Sequence, residues 1–181
     1  EPVNAPNGLF AELTLDGAKL ALPDSKYSEH KVSLNIYDGI YERKTCFSTG
    51  GGTVSFTEER MVSQANPNLI LQCLTVQTGY AAEVCVHTEI DGDVWDINGP
   101  HLEQMVCDYE DGVCFVSAVT HEKGTHIATQ ETVEYAFSAS ENIAVGEKTI
   151  ARNISSATEA GREYQIYRKI VVTVGEIKDT S

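Results

Sequence analysis

The side chains that could carry chemistry are densest between Glu89 and Asp111. This segment holds eight carboxylates and no lysine or arginine, and it contains Trp95, the single tryptophan of the chain. Paired carboxylates can act as general acid and base on a glycosidic bond, and an indole can cover the apolar face of a sugar ring. Asp and Gly also belong in tight turns on their own account. Two interpretations stay open: a sugar-contacting loop, or solvated hairpin tips around a tryptophan that packs on its own core or on a neighbouring domain.

Within this segment we predict a contact loop rather than a catalytic one. The loop covers residues 91–101, is rich in turn residues and is long for a hairpin. Loops of this kind are where sandwich folds carry function. The candidate binding residues, for contact with a catalytic domain or with sugar, are Asp91, Asp93, Trp95, Asn98 and His101. We expect Trp95 and His101 to meet a second domain or a second subunit.

Other groupings of ligand-type residues lack the geometry that their chemistry needs. His121 and His126 are five residues apart rather than four, and Gly124 lies between them, so one helix face cannot present both to zinc. The run at residues 91–96 has part of a calcium-loop pattern, but Trp95 stands where an oxygen ligand belongs. We therefore predict no metal site, no cofactor and no catalytic residue in this chain.

Composition excludes several kinds of partner. The 181 residues carry a formal net charge of −14, so the clustered Lys and Arg that bind a phosphate backbone are missing and we predict no nucleic acid. The apolar runs fall far short of the roughly 20 residues of a membrane helix, so we predict no membrane association. The five cysteines are widely spaced and odd in number, which favours free thiols in a reducing, cytoplasmic compartment.

The elements that must position these residues are strands. Residues 80–90 alternate apolar and polar side chains with a period of two, as a half-buried antiparallel strand requires. Its predicted inner positions are Val84, Val86 and Ile90, and its predicted outer positions are Glu83, Cys85, His87 and Glu89. Hairpin turns are predicted at four Asp-Gly pairs, because both positions of a type I′ turn need positive φ: Asp16-Gly17, Asp38-Gly39, Asp91-Gly92 and Asp111-Gly112. Similar runs elsewhere predict about ten to twelve strands.

Helix is nearly absent from the pattern. Residues 156–159 have the Ser-x-x-Glu spacing of a capping box, and Gly161 would end a helix within a turn or two, so one short helix is predicted there. Residues 139–153 are polar and weakly patterned, which indicates a loop or a partly extended segment. Many strands joined by short turns predict an all-β fold, a sandwich or a barrel.

Four segments carry a family resemblance, in order along the chain: residues 35–43, 59–69, 88–101 and 159–170. The first resembles a leucine-aspartate, glycine-valine-leucine, arginine signature, with Asn35-Ile-Tyr37 in place of the usual leucine-aspartate-methionine. The second resembles an arginine-aromatic-valine-serine strand, with Met61 at the aromatic position. The third resembles an aspartate-glycine stretch that ends in histidine, and the fourth a glycine-rich turn and a lysine-containing strand. Together they resemble the amino-terminal domain of glycoside hydrolase family 65.

This resemblance implies both a fold and a context. It implies an antiparallel β-sandwich of the mutarotase-like supersandwich type, with residues 1–181 as one domain at the amino-terminal end of a larger enzyme. Members of the family are phosphorylases or hydrolases of α-glucosidic disaccharides such as maltose, trehalose, kojibiose and nigerose. The phosphorylases invert the bond with a glutamic acid and with inorganic phosphate as co-substrate, both in a downstream α/α barrel. This chain would support that barrel and a homodimer.

Two other functions compete with this interpretation. The tryptophan and the acidic loop around it also suit an independent carbohydrate-binding module, since Asp and Asn hydrogen-bond sugar hydroxyls. An aldose-epimerase-like enzyme would use His and Glu for proton transfer on a related sandwich. The groups available for that reaction are His87, Glu89, His101 and His126.

Overall fold

The computed structural model describes residues 4–22, 24–96 and 99–175, and these residues form strands and turns without an α-helix. The strands are β1 (Asn7–Leu15), β2 (Ala18–Leu20), β3 (Tyr27–Asn35), β4 (Ile40–Thr49), β5 (Gly52–Val62), β6 (Leu69–Thr78), β7 (Ala82–Asp91), β8 (Trp95–Asp96), β9 (Gly99–Pro100), β10 (Leu102–Glu110), β11 (Val113–Thr120), β12 (His126–Glu134), β13 (Ser140–Val145), β14 (Thr149–Thr158) and β15 (Glu163–Val174).

Two large antiparallel sheets pack face to face. The five-stranded sheet has the order β13-β14-β7-β1-β2, and the eight-stranded sheet has the order β10-β11-β12-β15-β6-β5-β4-β3. A separate two-stranded ribbon pairs β8 with β9. Two sheets with one apolar face each must bury those faces against each other. The predicted antiparallel β-sandwich is confirmed.

Alternation along the strands fills the space between the sheets. Leu13 of β1 and Val86 of β7 belong to the same buried cluster as Leu74 of β6 and Ile166 of β15. All four are at most 2% exposed, and burial of each such side chain contributes about 1.5–3 kcal/mol. The predicted alternation of β7 is also confirmed, since its inner positions are buried and its outer positions are exposed or half-buried.

The predicted helix at residues 156–159 is wrong, because β14 continues to Thr158. All ten residues of β14 pair with β7, so its backbone groups are used in the sheet. Ser156 is buried, and its hydroxyl donates a hydrogen bond to the carbonyl of Ser138 at 2.9 Å instead of capping a helix. The extended interpretation of residues 139–153 is the one that holds, since they contain β13 and the first half of β14.

Two of the four Asp-Gly pairs form the predicted turns. Asp16 and Gly17 have φ values of 47° and 80°, and Asp111 and Gly112 have values of 48° and 86°. Positive φ at both central positions is the signature of a type I′ hairpin turn. Asp38-Gly39 belongs to a longer turn between β3 and β4, in which only the glycine has positive φ.

Asp91-Gly92 is not a hairpin turn, and that prediction is wrong. Asp91 ends β7, and the amide of Gly92 donates to the carbonyl of Lys148 at 2.8 Å. A Cβ on Gly92 would lie 2.8 Å from that carbonyl oxygen and closer still to Sδ of Met105. Glycine is required here because two chain segments approach its backbone closely.

The eight-stranded sheet is wider than the sheet that covers it. Val32 and Leu34 of β3 lie opposite Arg43 and Tyr41 of β4, and Arg43 lies opposite the buried Glu58 of β5. Direct cross-strand partners share a face, so these β3 residues point to the inner side of the sheet. They are nevertheless 53% and 62% exposed. The inner face of β3, with the adjoining part of β4 at Tyr41 and Arg43, is therefore an uncovered overhang, whereas Thr45 and Phe47 further along β4 are buried.

Candidate functional site

The predicted contact segment lies at the end of β7 and in the ribbon that follows. Asp91 Oδ1 accepts a hydrogen bond from the amide of Asp93 at 2.8 Å, which bends the chain away from the sheet. Asp93 is exposed and accepts from Lys148 Nζ at 2.6 Å. That hydrogen bond and the charge of Asp93 raise the pKa of Lys148. Trp95 follows on β8 and is 67% exposed.

A surface cleft of about 530 Å³ lies beside Trp95. Its walls are residues 4–9, residues 93–95 and the side chains of Ile70, Ile170 and Val172. Nδ2 of the Asn4 side chain donates to the carbonyl of Trp95 at 3.1 Å, which attaches the ribbon to the segment before β1. The arrangement sets an exposed indole next to carboxylate and amide groups above an apolar floor. Such a surface can hold either a protein side chain or a sugar ring.

His101, another predicted contact residue, does not join this cleft. His101 Nδ1 is hydrogen-bonded to Glu122, and the carbonyl of His101 accepts from the amide of His121 at 2.9 Å. The hydrogen bond from His101 lowers the pKa of Glu122. His101 therefore lies against the turn between β11 and β12. Asn98 lies outside the described residues.

The residues considered for proton transfer are spread over both sheets. His87 and Glu89 lie on the outer face of the five-stranded sheet, with Nε2 and Oε2 3.7 Å apart. His87 Nδ1 is 2.9 Å from Oδ1 of Asn153. His126 lies on the eight-stranded sheet, where it lines a cleft with Val106. The fold places His87 beside Glu89 but keeps His101 and His126 apart from that pair, so the four groups do not form one site.

The most buried charged residues lie between the sheets. Glu131 of β12, Arg152 of β14 and Arg168 of β15 are 1%, 2% and 1% exposed. Oε1 of Glu131 accepts from Nε of Arg152 at 3.1 Å, and Oε2 accepts from Nε of Arg168 at 3.0 Å. Thr88 Oγ1 adds a hydrogen bond to Oε1 at 3.2 Å. One carboxylate thus joins a guanidinium from each sheet.

The other N–H groups of Arg168 donate hydrogen bonds to β1 and β6. Nη2 donates to the carbonyl of Gly8 at 2.9 Å, and Nη1 donates to the carbonyl of Phe10 at 3.3 Å. Nη1 also donates to the side chain of Gln72. A buried charge is tolerated when its hydrogen-bonding groups are satisfied. These bonds attach β1 to the middle of the eight-stranded sheet.

Arg152 is satisfied in the same way. It donates to the carbonyl of Gly112 at 2.9 Å, to Sγ of Cys114 at 3.3 Å and to the carboxylate of Glu141. Burial alone would lower the pKa of Arg152, but Cys114, Glu131 and Glu141 raise it above its usual value. Burial raises the pKa of the Cys114 thiol to about 11, because the effect of Arg152 does not offset it. The Arg152 guanidinium is shielded from solvent, the Glu141 side chain at the edge of the network is 28% exposed, and these bonds stabilise the fold.

Sequence reasoning missed the buried network, although alternation carried its signal. Glu131 follows Ile127 and Thr129 at a period of two, and Arg168 follows Tyr164 and Ile166 in the same way. A charge at an inward position of an alternating strand needs a buried partner. Two such positions of opposite sign predict a buried ion pair in the core.

Two further kinds of site are absent from the described residues. In residues 4–22, 24–96 and 99–175, no group of three or more His, Cys, Asp or Glu side chains could hold a metal ion. No helix among the described residues is long and apolar enough to cross a membrane.

The fold and the site define the class of protein as an antiparallel β-sandwich domain with an exposed tryptophan, Trp95, on a short ribbon. Residues 1–179 match Glycosyl hydrolase family 65, N-terminal domain. The chain therefore belongs to this N-terminal domain family.

Its relatives are longer enzymes. The nigerose phosphorylase of Lachnoclostridium phytofermentans is 34% identical over 105 residues, which are 58% of this chain and 14% of the relative. The 1,2-alpha-glucosylglycerol phosphorylase of Bacillus selenitireducens is 26% identical over 168 residues, which are 92% of this chain and 22% of the relative. A solved structure of a kojibiose phosphorylase from the human microbiome superimposes with a TM-score of 0.88 at 12% identity, over 99% of this chain and 24% of the other. This chain thus spans less than a quarter of each of these proteins.

Proposed function

We propose that this chain is the non-catalytic N-terminal domain of a family 65 phosphorylase or hydrolase that acts on α-glucosidic disaccharides. Residues 1–181 form one domain that supports a downstream catalytic α/α barrel of the same polypeptide. The observation that carries the proposal is the family match over residues 1–179 in a chain that spans under a quarter of its relatives. Two of those relatives are phosphorylases, which favours inorganic phosphate as co-substrate of the parent enzyme, with no other cofactor.

The contact with the barrel is proposed at Trp95. A 67% exposed tryptophan on a short ribbon exposes a large apolar surface to water, and such surfaces favour association. Asp91 and Asp93 set the path of the chain into this ribbon. His101 supports the neighbouring turn through Glu122. The free state of all five cysteines fits a reducing, cytoplasmic compartment.

An activity assay tests the absence of catalysis in this chain. The purified 181-residue protein is incubated with maltose, trehalose, kojibiose and nigerose, with and without inorganic phosphate. We expect no glucose and no glucose 1-phosphate, whereas the polypeptide extended through the barrel should release one of them. Turnover by the 181-residue protein alone would overturn the proposal.

Sedimentation equilibrium of the same two proteins tests whether this domain contributes to a homodimer.

An independent carbohydrate-binding module is the second candidate, and the cleft beside Trp95 favours it. The exposed indole and the nearby Asp93 are the pair of groups that a sugar ring would meet. Calorimetric titration with α-glucosides decides between the two functions. Millimolar binding that is lost in Trp95→Ala and kept in Tyr37→Ala, a second highly exposed aromatic position, would support the module. The absence of heat at millimolar ligand would count against it.

A further inference from the structure

A second cleft lies under the uncovered overhang of the eight-stranded sheet. It measures about 270 Å³ and is bounded by the first half of β1 and by the inner faces of β4 and β5. Its charged side chains are Arg43 and Arg60, with Glu58 between them, and Asn7 also lines it. The aromatic rings of Phe10 and Tyr41 form part of its walls. The cleft thus combines two guanidiniums with apolar surface.

The carboxylate of Glu58 is already fully used. Its side chain is 4% exposed, and Oε1 accepts from Nε2 of Gln72 at 2.6 Å. Nη2 of Arg43 lies 2.9 Å from Oε2, and Nη1 of Arg60 lies 3.4 Å from Oε1. One negative charge therefore faces two positive charges, in a chain whose net charge is −14.

The two guanidiniums retain most of their hydrogen-bonding capacity. Their contacts with Glu58 are ion pairs, and within the described residues neither Arg43 nor Arg60 donates a hydrogen bond to another group. Each guanidinium has five N–H donors. Their side chains are 39% and 31% exposed, so these donors are open to the cleft. Arg60 also lies over the ring of Tyr41 at 4.2 Å, which orients its plane.

We propose that this cleft binds a phosphate group between Arg43 and Arg60. The two residues lie on adjacent strands, so a ligand that bridges them must accept hydrogen bonds from two different directions. A phosphate offers three or four acceptor oxygens in a tetrahedron, whereas a carboxylate offers two in a plane. The surplus positive charge attracts an anion to this cleft against the net charge of the chain. The proposal does not depend on the proposed function.

A titration of the 181-residue protein tests the site. Inorganic phosphate is added at constant low ionic strength and neutral pH, and the side-chain NMR signals of the arginines are followed. We expect saturable shifts at Arg43 and Arg60, with the exposed Arg162 as the internal reference. Shifts that rise linearly without saturation, or that occur equally at Arg162, would overturn the proposal. This measurement needs no variant, so it stands even where a substitution unfolds the protein.

Variants then assign the donors. Arg43→Gln and Arg60→Gln are each expected to weaken phosphate binding at least about tenfold, while Arg162→Gln leaves it unchanged. Arg60→Lys keeps the charge and loses the planar fork, so we expect an intermediate loss. Thermal melts identify variants that remain folded. Unchanged affinity in a folded Arg60→Gln protein would contradict the assignment.

Two other anions identify the ligand class. Acetate is expected to bind at least about tenfold more weakly than phosphate, and equal affinity for acetate would overturn the choice of phosphate. Glucose 1-phosphate separates two sources of the same group. Tighter binding of this ester would assign the cleft to a phosphate ester that uses the aromatic walls, and equal or weaker binding would assign it to the free anion.

Discussion

The interior of the sandwich and the end that carries Trp95 differ in the exposure of their side chains. Charged groups are buried in the interior, and a large aromatic group is exposed at the Trp95 end. Around Glu131, charges are 1–2% exposed and their donors are taken up by carboxylates, carbonyls and a thiol. Around Trp95, the indole is 67% exposed, and the side-chain amide of Asn4 donates a hydrogen bond to the Trp95 carbonyl. The buried charged groups, whose hydrogen-bond donors have partners, hold the two sheets together. Exposed apolar surface remains at Trp95, where the domain is proposed to meet a partner.

The same contrast separates two pairs of arginines. Arg152 and Arg168 are buried and donate to several partners each. Arg43 and Arg60 are partly exposed and share one carboxylate. The residue type is the same, but only the second pair has donors open to a cleft. Hydrogen-bond saturation therefore separates structural arginines from candidate binding arginines in this fold.

The largest effect on the free energy of unfolding is expected from Glu131→Gln, which disrupts the buried ion-pair network. The substitution keeps the shape of the side chain and leaves the two buried guanidiniums without their shared negative charge. We expect a loss of about 3–5 kcal/mol in the free energy of unfolding, measured by urea denaturation. Glu134→Gln on the same strand, where the side chain is exposed and pairs with Lys169, should change it by at most about 1 kcal/mol. A loss below about 1 kcal/mol in Glu131→Gln would contradict the role of the network.

A second effect is expected at alkaline pH. The unfolded thiol of Cys114 ionises near pH 9, whereas the folded thiol has a pKa of about 11. The unfolded state therefore loses this proton first, and the stabilisation present below pH 9 is lost as the pH rises to 11. The slope is about 1.4 kcal/mol per pH unit, up to about 3 kcal/mol in total.

Denaturation curves at pH 8, 9, 10 and 11 measure this slope. Cys114→Ala should make the slope shallower over that range, and Cys46→Ala, which leaves Cys114 in place, should not change it. Some slope should persist in Cys114→Ala, because burial also raises the pKa of Tyr135, to about 12. An unchanged slope in Cys114→Ala would show that other groups control the alkaline behaviour.

A smaller effect is expected from Gly92→Ala at the base of the Trp95 ribbon. The added methyl group would meet the carbonyl of Lys148 and the side chain of Met105. We expect a loss of about 1–3 kcal/mol in the free energy of unfolding, since overpacking of this size forces neighbouring groups to shift. Gly50→Ala is the matched control, because nothing lies within 4 Å of a Cβ there. Equal stability of both variants would remove the packing role of Gly92.

The smallest effect on stability is expected at Trp95. Trp95→Ala removes a side chain that is mostly in water, so the free energy of unfolding should change by less than about 0.5 kcal/mol. Urea denaturation followed by circular dichroism avoids reliance on the tryptophan signal. A loss above about 2 kcal/mol would place Trp95 among the core residues and contradict its role as a contact group.

The class of fold and most of the strands were predictable from the sequence, although about ten to twelve strands were expected and the described residues form fifteen. Alternation identified the inner face of β7 because one face of that strand is buried, and positive φ at Asp16-Gly17 and Asp111-Gly112 followed from turn chemistry. A helix was wrongly predicted at residues 156–159 from a local capping pattern. The ten residues of β14 pair with β7 instead, and these long-range pairs outweigh the local preference. Local sequence cannot show which strand will compete for a backbone group.

The site was only partly predictable for a similar reason. Trp95 stood out by composition and is exposed, but His101 turned to Glu122 on another turn of the fold. Arg43 and Arg60 stand 17 positions apart, and only the register between β4 and β5 brings them to one cleft. Which residues come together in a site depends on the pairing of distant strands. The alternation pattern within one strand carries no information about that pairing.

Hydroxyl-radical footprinting at Trp95 tests the central claim most directly. The rate of Trp95 oxidation is measured by mass spectrometry in the 181-residue protein and in the polypeptide extended through the catalytic barrel, with the buried Tyr164 as the slow reference. We predict fast oxidation of Trp95 in the 181-residue protein and strong protection in the longer one. Equal oxidation rates in the two proteins would contradict the proposal that this end of the sandwich contacts the catalytic domain.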